Sequence, residues 1–353
     1  MRVDQIVPTF IANDGVYYES LTIKRILNNN GIESVIYYDV LLSEEIKSDG
    51  ISYKEINKNI DRIIIYHYAI WNDILESVIN LPGKKILFYH NITPYQWFAD
   101  CDETIKLVAK KGREKLSELV NHFDLVIAES NFSKQELVEK GFRNIEILPY
   151  IVDFTKYNIS PTEIPYNKNI KGKLIYVGRI APNKMIDELI MIYYYYKKSI
   201  ETNSKFVIIG DYSSPIYGPY YSYLRRLIKY MQLEDIIFTD KVSLSTLVGY
   251  YRWADIFITM SQHEGFCTPL LESMYFNVPV IARNACAIPE TLGEAGILIK
   301  TNDYREIAEI IHECIINKKL REKLIRKQNE RLKDFDLKLI EKKLIEHIDK
   351  INR

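Results

Sequence analysis

The sequence has little of several things, and each scarcity excludes something. It has no charge surplus: 47 Lys and Arg stand against 47 Asp and Glu, a formal net charge of zero. A general nucleic-acid binder needs a basic excess to meet phosphates, so that class is disfavoured. Cysteine is sparse, with Cys101, Cys267, Cys286 and Cys314 too scattered for a disulfide framework or a zinc site. Reduced thiols in a cytoplasmic protein are the expectation. Apolar runs such as Ile63–Tyr66 fall far short of the roughly 18 residues that cross a bilayer. The opening MRVDQIVPTF has no apolar h-region and does not read as a signal peptide. No GxGxxG follows the first expected strand, which disfavours a dinucleotide-dependent dehydrogenase.

What is present is an ordinary globular composition. Hydrophobic residues make up 47% and charged residues 27%, enough apolar material to offset chain entropy and exclude dominant disorder. At 353 residues, two domains are favoured over one. Short apolar runs at Val3–Val7, Ser34–Tyr38, Arg62–Tyr66, Lys85–Tyr89, Leu125–Ala128 and Ile145–Leu148 read as strands. Helical periodicity covers Val16–Asn29, Glu103–Val120 and Lys134–Lys140. The strands are apolar throughout rather than alternating, as parallel strands buried on both faces are. The alternation breaks over Asp153–Gly172, a polar stretch with Pro161 and Pro165. It restarts with strands at Leu174–Val177, Phe206–Ile209, Ile236–Phe238, Ile256–Thr259, Val280–Ala282 and Ile297–Ile299. The chain therefore reads as α/β, with two Rossmann-like doubly wound domains. Residues 1–152 form the first, 153–172 a linker and 173–330 the second. Residues 331–353 read as a charged helix. Ligands of such sheets bind beyond the carboxyl ends of strands, so a cleft between facing domains is the expected site.

Three motifs follow strands. Val177-Gly178-Arg179-Ile180-Ala181-Pro182-Asn183-Lys184 places two cations on a loop that opens a helix. Such a pair suits a diphosphate, and equally suits a solvated turn. His263-Glu264-Gly265-Phe266-Cys267-Thr268-Pro269-Leu270-Leu271-Glu272 places Glu264 in a loop and Glu272 on the helix that Pro269 begins. Backbone N–H groups around Phe266–Thr268 would face an anion, Glu264 could bind sugar hydroxyls, and Glu272 could accept from a ribose diol. One carboxylate could instead stabilise the helix dipole. Phe88-Tyr89-His90-Asn91-Ile92-Thr93-Pro94 places His90 just beyond a strand.

The order and spacing of VGRIAPNK, VIIGDY, FTDKVS, YYRWADIFITMSQHEGFCTPLLESM, PVIA and IPETLGEAGIL over about 174–300 resemble glycosyltransferase family 4, which has the GT-B fold. The resemblance implies a retaining transferase that moves a sugar from a nucleotide-diphosphate sugar to a hydroxyl acceptor. Cell-surface polysaccharide or glycolipid synthesis is the implied setting. The resemblance also implies that the last helix, 331–353, packs back on the first domain. Arg179 and Lys184 would hold the donor diphosphate, Glu264 and His90 the donor sugar, and Thr268 with Phe266 and Cys267 the phosphates. Glu272 would bind the ribose; Gly178, Gly210, Lys241 and Val242 would line the nucleotide pocket. Cys267 stands where the family has Gly and is not read as a nucleophile. His67, in Tyr66-His67-Tyr68, also fits the family. Asn13-Asp14-Gly15 stands where relatives carry a glycine loop near the diphosphate, with only Gly15 retained. Ala128-Glu129-Ser130-Asn131-Phe132 fits as a strand end and helix cap.

No cofactor is implied, and no metal, because the cations take its place; Asp102 and Asp124 read as isolated carboxylates. Attack from the front face, with the leaving phosphate taking the acceptor's proton, is the implied course. A nucleotide-sugar 2-epimerase-like enzyme and a non-catalytic nucleotide-sugar-binding subunit are the alternatives. From Asn317 to Arg353 there are 13 Lys/Arg against 7 Asp/Glu, and Lys110-Lys111-Gly112-Arg113-Glu114-Lys115 adds a second basic stretch. Together they suggest a weak contact with the inner membrane face, against the plainer reading of a solvated helix.

Overall fold

A computed structural model describes residues 1–12, 14–166 and 169–352. Asn13, the first residue of the Asn13-Asp14-Gly15 motif, lies outside the described residues, as does Arg353 at the end of the basic tail. The chain divides into two compact units. One comprises Met1–Tyr95, Leu107–Asp153 and Phe335–Arg353; the other comprises Gln96–Lys106 and Phe154–Asp334.

The first unit is built on seven strands: β1 (Val3–Phe10), β2 (Ile36–Leu41), β3 (Ile51–Ser52), β4 (Ile63–Tyr68), β5 (Lys85–Tyr89), β6 (Leu125–Ala128) and β7 (Ile145–Ile147). They form one parallel sheet in the order β3-β2-β1-β4-β5-β6-β7. Every residue of β4, β5 and β6 is buried, because helices cover both faces. The expected strands are all found; the two-residue β3 is the addition, too short to carry a periodic signal.

Two helices matter most here. Gly15–Asn29 begins where the Asp14 carboxylate accepts from the Val16 N–H at 2.9 Å. Asn131–Glu139 begins at Ser130, whose hydroxyl accepts from the Ser133 N–H at 3.1 Å. The last helix, Leu337–Asn352, buries Ile340, Leu344 and Ile348 against Val3, Ile23, Ile65, Phe88 and Ile127. Its charged residues lie on the other side of that stripe.

The second unit has β8 (Gly172–Val177), β9 (Ser204–Ile209), β10 (Ile236–Phe238), β11 (Ile256–Thr259), β12 (Val280–Arg283) and β13 (Ile297–Ile299), again all parallel, in the order β10-β9-β8-β11-β12-β13. Phe206, Ile208, Ile256, Ile258 and Ile281 fill its core with Leu189, Tyr193 and Tyr196 from the helical segment after β8. Residues 154–166 lie on this unit, where the Thr162 N–H donates to the Ser245 carbonyl at 3.0 Å. In each sheet the order reverses beside the first strand, between β1 and β4 and between β8 and β11, the kind of position at which such sheets bind ligands.

Candidate active site

In the second unit the first two motifs meet. The turn Pro182–Lys184 follows β8, and the loop 260–267 follows the neighbouring β11. Three contacts join them: the Gln262 N–H donates to the Asn183 carbonyl at 2.9 Å, the Asn183 amide donates to the His263 carbonyl at 3.1 Å, and Lys184 Nζ pairs with Glu264 Oε1 at 2.7 Å. The Lys184 and Glu264 side chains are only 12% and 13% exposed. The loop is also held from behind, by the Ala287 N–H on the Glu264 carbonyl at 3.3 Å and by Thr291 Oγ1 on the Phe266 carbonyl at 2.7 Å.

Cys267 ends the loop in the left-handed region (φ 73°), and helix Thr268–Tyr275 starts from it without a side-chain cap. The first N–H groups of that helix therefore lack the usual side-chain acceptor. Burial, with the Glu264 charge adding to it, holds the Cys267 thiol well above its ordinary range, so the thiolate needed for nucleophilic attack is disfavoured. Glu272 is buried on the same helix. Tyr157 donates to one of its oxygens at 2.5 Å and Tyr251 to the other at 2.7 Å, which leaves each oxygen one further lone pair.

Gly178 and Gly210 end the adjacent strands β8 and β9 at φ 154° and 155°. A Cβ on Gly210 would fall 1.9 Å from the Gly178 carbonyl oxygen, so only glycine lets the two loops touch. Arg179 follows Gly178 and is exposed. Lys241 pairs with Asp211 at 3.0 Å beside the bridge between Gly210 and Asp240, and Val242 follows it half-buried.

The first unit holds the other sequence candidates. Gly15 opens its helix, and its carbonyl accepts from the Tyr150 hydroxyl at 2.5 Å. His90 follows β5 with a side chain only 6% exposed. His90 Nδ1 lies 2.5 Å from Glu129 Oε1 and 3.6 Å from Glu19 Oε2, and its Nε2 lies 2.9 Å from His67 Nδ1. His67 Nε2 in turn lies 3.1 Å from Gln5 Oε1. Strand register explains the assembly. Gln5 pairs with Ile65, His67 with Phe88, and Phe88 with Ile127. Gln5, His67, His90 and Glu129 therefore share one face of the sheet, stepped across four strands, with Glu19 meeting them from helix Gly15–Asn29.

Glu129 is the residue that sequence reasoning missed. Its motif reads in sequence as a strand end and helix cap, and its place one residue past β6, level with His90, is the available signal. Glu19 gave none, being one carboxylate on an amphipathic helix. Burial is the largest influence on His90 and lowers its proton affinity, but Glu129, Glu19 and Asp14 override it and leave the ring's pKa above the ordinary 6.5. Burial, and then His90, push His67 well below that value. Burial raises Glu19 well above the carboxylate range, Glu129 adds to it, and His90 opposes it.

Glu19, His67 and His90 offer ligand atoms within 4.8 Å of one another. The two rings, however, meet head-on, with centroids 5.2 Å apart and planes 7° from parallel. Their facing nitrogens are 2.9 Å apart, and an ion midway would sit well inside the ~2.0–2.1 Å of a Zn–N bond. That contact is a hydrogen bond. Asp100 and Asp102 do have the Asp-x-Asp spacing that the sequence reading passed over, as do Asp334 and Asp336. Asp102 accepts from the Thr104 N–H at 2.8 Å, Asp334 pairs with Arg331 at 2.6 Å, and Asp336 accepts from the Lys338 N–H at 2.9 Å. The 110–115 basic stretch is partly engaged as well: Arg113 pairs with Glu136 and donates to the Ile92 carbonyl at 2.6 Å, and Lys111 lies 4.6 Å over the Trp71 ring. Among the described residues, no helix is long and apolar enough to cross a membrane.

Residues 163–331 match the family described as glycosyl transferases group 1. An uncharacterized glycosyltransferase of Methanocaldococcus jannaschii is 26% identical over 333 residues, which cover 91% of this chain and 86% of that protein. The chain is a GT-B glycosyltransferase. Its architecture is that of Anabaena HepE, solved in complex with UDP-glucose, with a TM-score of 0.76 at 16% identity over 99% of this chain and 100% of that one. O-antigen chain mannosyltransferase B of Escherichia coli is 25% identical over 239 residues, 59% of this chain and 56% of that protein. Membership of family 4 is consistent with these relatives. The group 1 match contains the whole Lys184–Glu264 assembly and none of the His90 cluster.

Proposed function

We propose that the glycosyltransferase moves a hexosyl group, with retention, from a nucleotide-diphosphate sugar to a hydroxyl of a cell-surface polysaccharide or glycolipid precursor. The observation that carries the reading is the largely buried Lys184–Glu264 pair, locked beside the uncapped helix at Thr268. A cation beside the start of a helix is what a departing diphosphate needs, and a carboxylate next to it suits sugar hydroxyls. The nucleotide sugar bound by HepE and the O-antigen name of the Escherichia coli relative support the donor and acceptor classes.

In this reading Arg179 and Lys184 hold the diphosphate. The bond from the anomeric carbon to phosphate oxygen breaks, and the acceptor oxygen bonds on the same face. The acceptor's proton passes to the leaving phosphate. Lys184 and Arg179 supply the charge that a metal would supply, so chelator leaves the rate unchanged. Thermal-shift measurement against UDP- and GDP-sugars tests the donor, because a true donor raises the melting point. Product NMR tests retention, and inversion would refute it. No shift with any donor and no transfer would refute the whole reading. Association of the basic last helix with anionic lipid is a separate proposal, refuted by co-sedimentation that does not depend on anionic lipid.

A further inference from the structure

The hydrogen-bond chain beneath His90 fixes the protonation of that ring, beginning from one backbone carbonyl. The Gln5 amide nitrogen donates to the Ser20 carbonyl at 3.0 Å, which fixes the orientation of the amide. Gln5 Oε1 therefore faces His67 Nε2, 3.1 Å away, and that nitrogen must carry the proton. His67 is wholly buried, where an uncompensated charge is costly, so its second nitrogen is bare. That bare Nδ1 faces His90 Nε2 at 2.9 Å, so His90 must donate there. The other His90 nitrogen faces the Glu129 carboxylate at 2.5 Å, where two lone pairs would repel. One more proton belongs in that contact, and on the ring it completes an imidazolium.

We propose that Glu129 is a positioning residue for glycosyl transfer: it holds His90 as a doubly protonated ring through an in-line chain anchored at Gln5. The proposal rests on the reading of His90 as a donor-sugar residue and adds its charge state and its support. The groups facing His90 are Asp14 and Glu19 at the start of the first long helix, His67 on β4 and Glu129 after β6. Glu19 Oε2 makes no hydrogen bond and lies 3.6 Å from His90 Nδ1, but burial raises its pKa to about 8, so near pH 7.5 it is mostly the neutral acid and Glu129 is the carboxylate that holds the His90 proton. When the proton leaves, Glu129 and His90 Nδ1 face each other lone pair to lone pair, the ring is released, and transfer falls.

The test is ¹⁵N-histidine NMR of the full chain, whose six histidines give few signals, with His90 assigned by its loss in His90→Gln. At pH 7.5 both His90 nitrogens are expected to be protonated, with His67 neutral and bare at Nδ1. Glu129→Gln keeps an oxygen to accept from Nδ1 but removes the charge. The His90 midpoint is expected to fall by about one to three pH units, and the alkaline limb of kcat to move to lower pH with it. A purely structural Glu129 would leave both in place. A bare nitrogen on wild-type His90 at pH 7.5 overturns the proposal without any variant, and so does an unmoved midpoint or an unmoved limb in Glu129→Gln. If no donor is turned over, the functional reading fails by itself, while the spectra still decide the charge state of His90.

Discussion

Breaking the Lys184–Glu264 pair should cost the second unit more than an ordinary surface substitution does. At 2.7 Å, and with an effective dielectric constant near 20, the gross attraction is about 6 kcal/mol. Burial offsets part of that, and losing one partner of a buried pair typically costs about 3–5 kcal/mol, because the other charge stays behind. For a domain of about 150–250 residues each kcal/mol moves Tm by roughly 2–4 °C, so Lys184→Met should lower it by about 6–20 °C. Glu264→Gln should cost a similar amount. The double variant leaves no stranded charge, so it should melt well above the sum of the two losses. The assay is differential scanning fluorimetry of the four proteins, each also titrated with its donor. Strict additivity would refute the argument, because it would mean that the two charges do not interact. Lost activity in Lys184→Ala alone therefore reports stability as much as chemistry.

Gly210→Ala should destabilise by more than 1 kcal/mol and weaken the donor-induced thermal shift, since its Cβ would overlap the Gly178 carbonyl at a φ of 155°; an unchanged Tm and shift would contradict the close approach. Glu19 holds its proton more tightly folded than unfolded, so its contribution to stability is full below about pH 4.5 and is lost as pH rises through the raised native value. Glu19→Gln keeps an acceptor for the Ile151 N–H and removes that dependence. The Tm of Glu19→Gln should therefore gain on wild type between pH 5 and pH 9, and a constant difference would refute the assignment.

The sheet strands were legible because fully buried parallel strands leave uninterrupted apolar runs, as IIIYHY and KILFY do. The two loops of the second unit were legible because glycine, proline and charge mark them at the ends of those runs. The ion pair between Lys184 and Glu264 was not, since their eighty-residue separation closes only through the β8–β11 pairing. Glu129 was hidden for the same reason. Its relation to His90 is a matter of register across β5 and β6, and one-residue offsets between distant strands leave no trace in local sequence. Both histidines were noticed, but as separate candidates; only the staggered register shows them hydrogen-bonded to each other.

The return of helix Leu337–Asn352 to the first unit orders events during synthesis. Ile340, Leu344 and Ile348 belong to the core around Val3, Ile65 and Phe88, yet they are made only after the segment Phe154–Asp334 of the other unit. Between Asp153 and Phe335 the ribosome must make the main segment of the other unit, about 10–40 s of elongation at ~5–20 residues per second. The unit begun first is thus finished second, and throughout that interval an apolar groove on its sheet stands open to water. A chaperone that shields this groove, or a slow codon run placed after residue 334, would change the yield of folded enzyme without altering any residue of its active site.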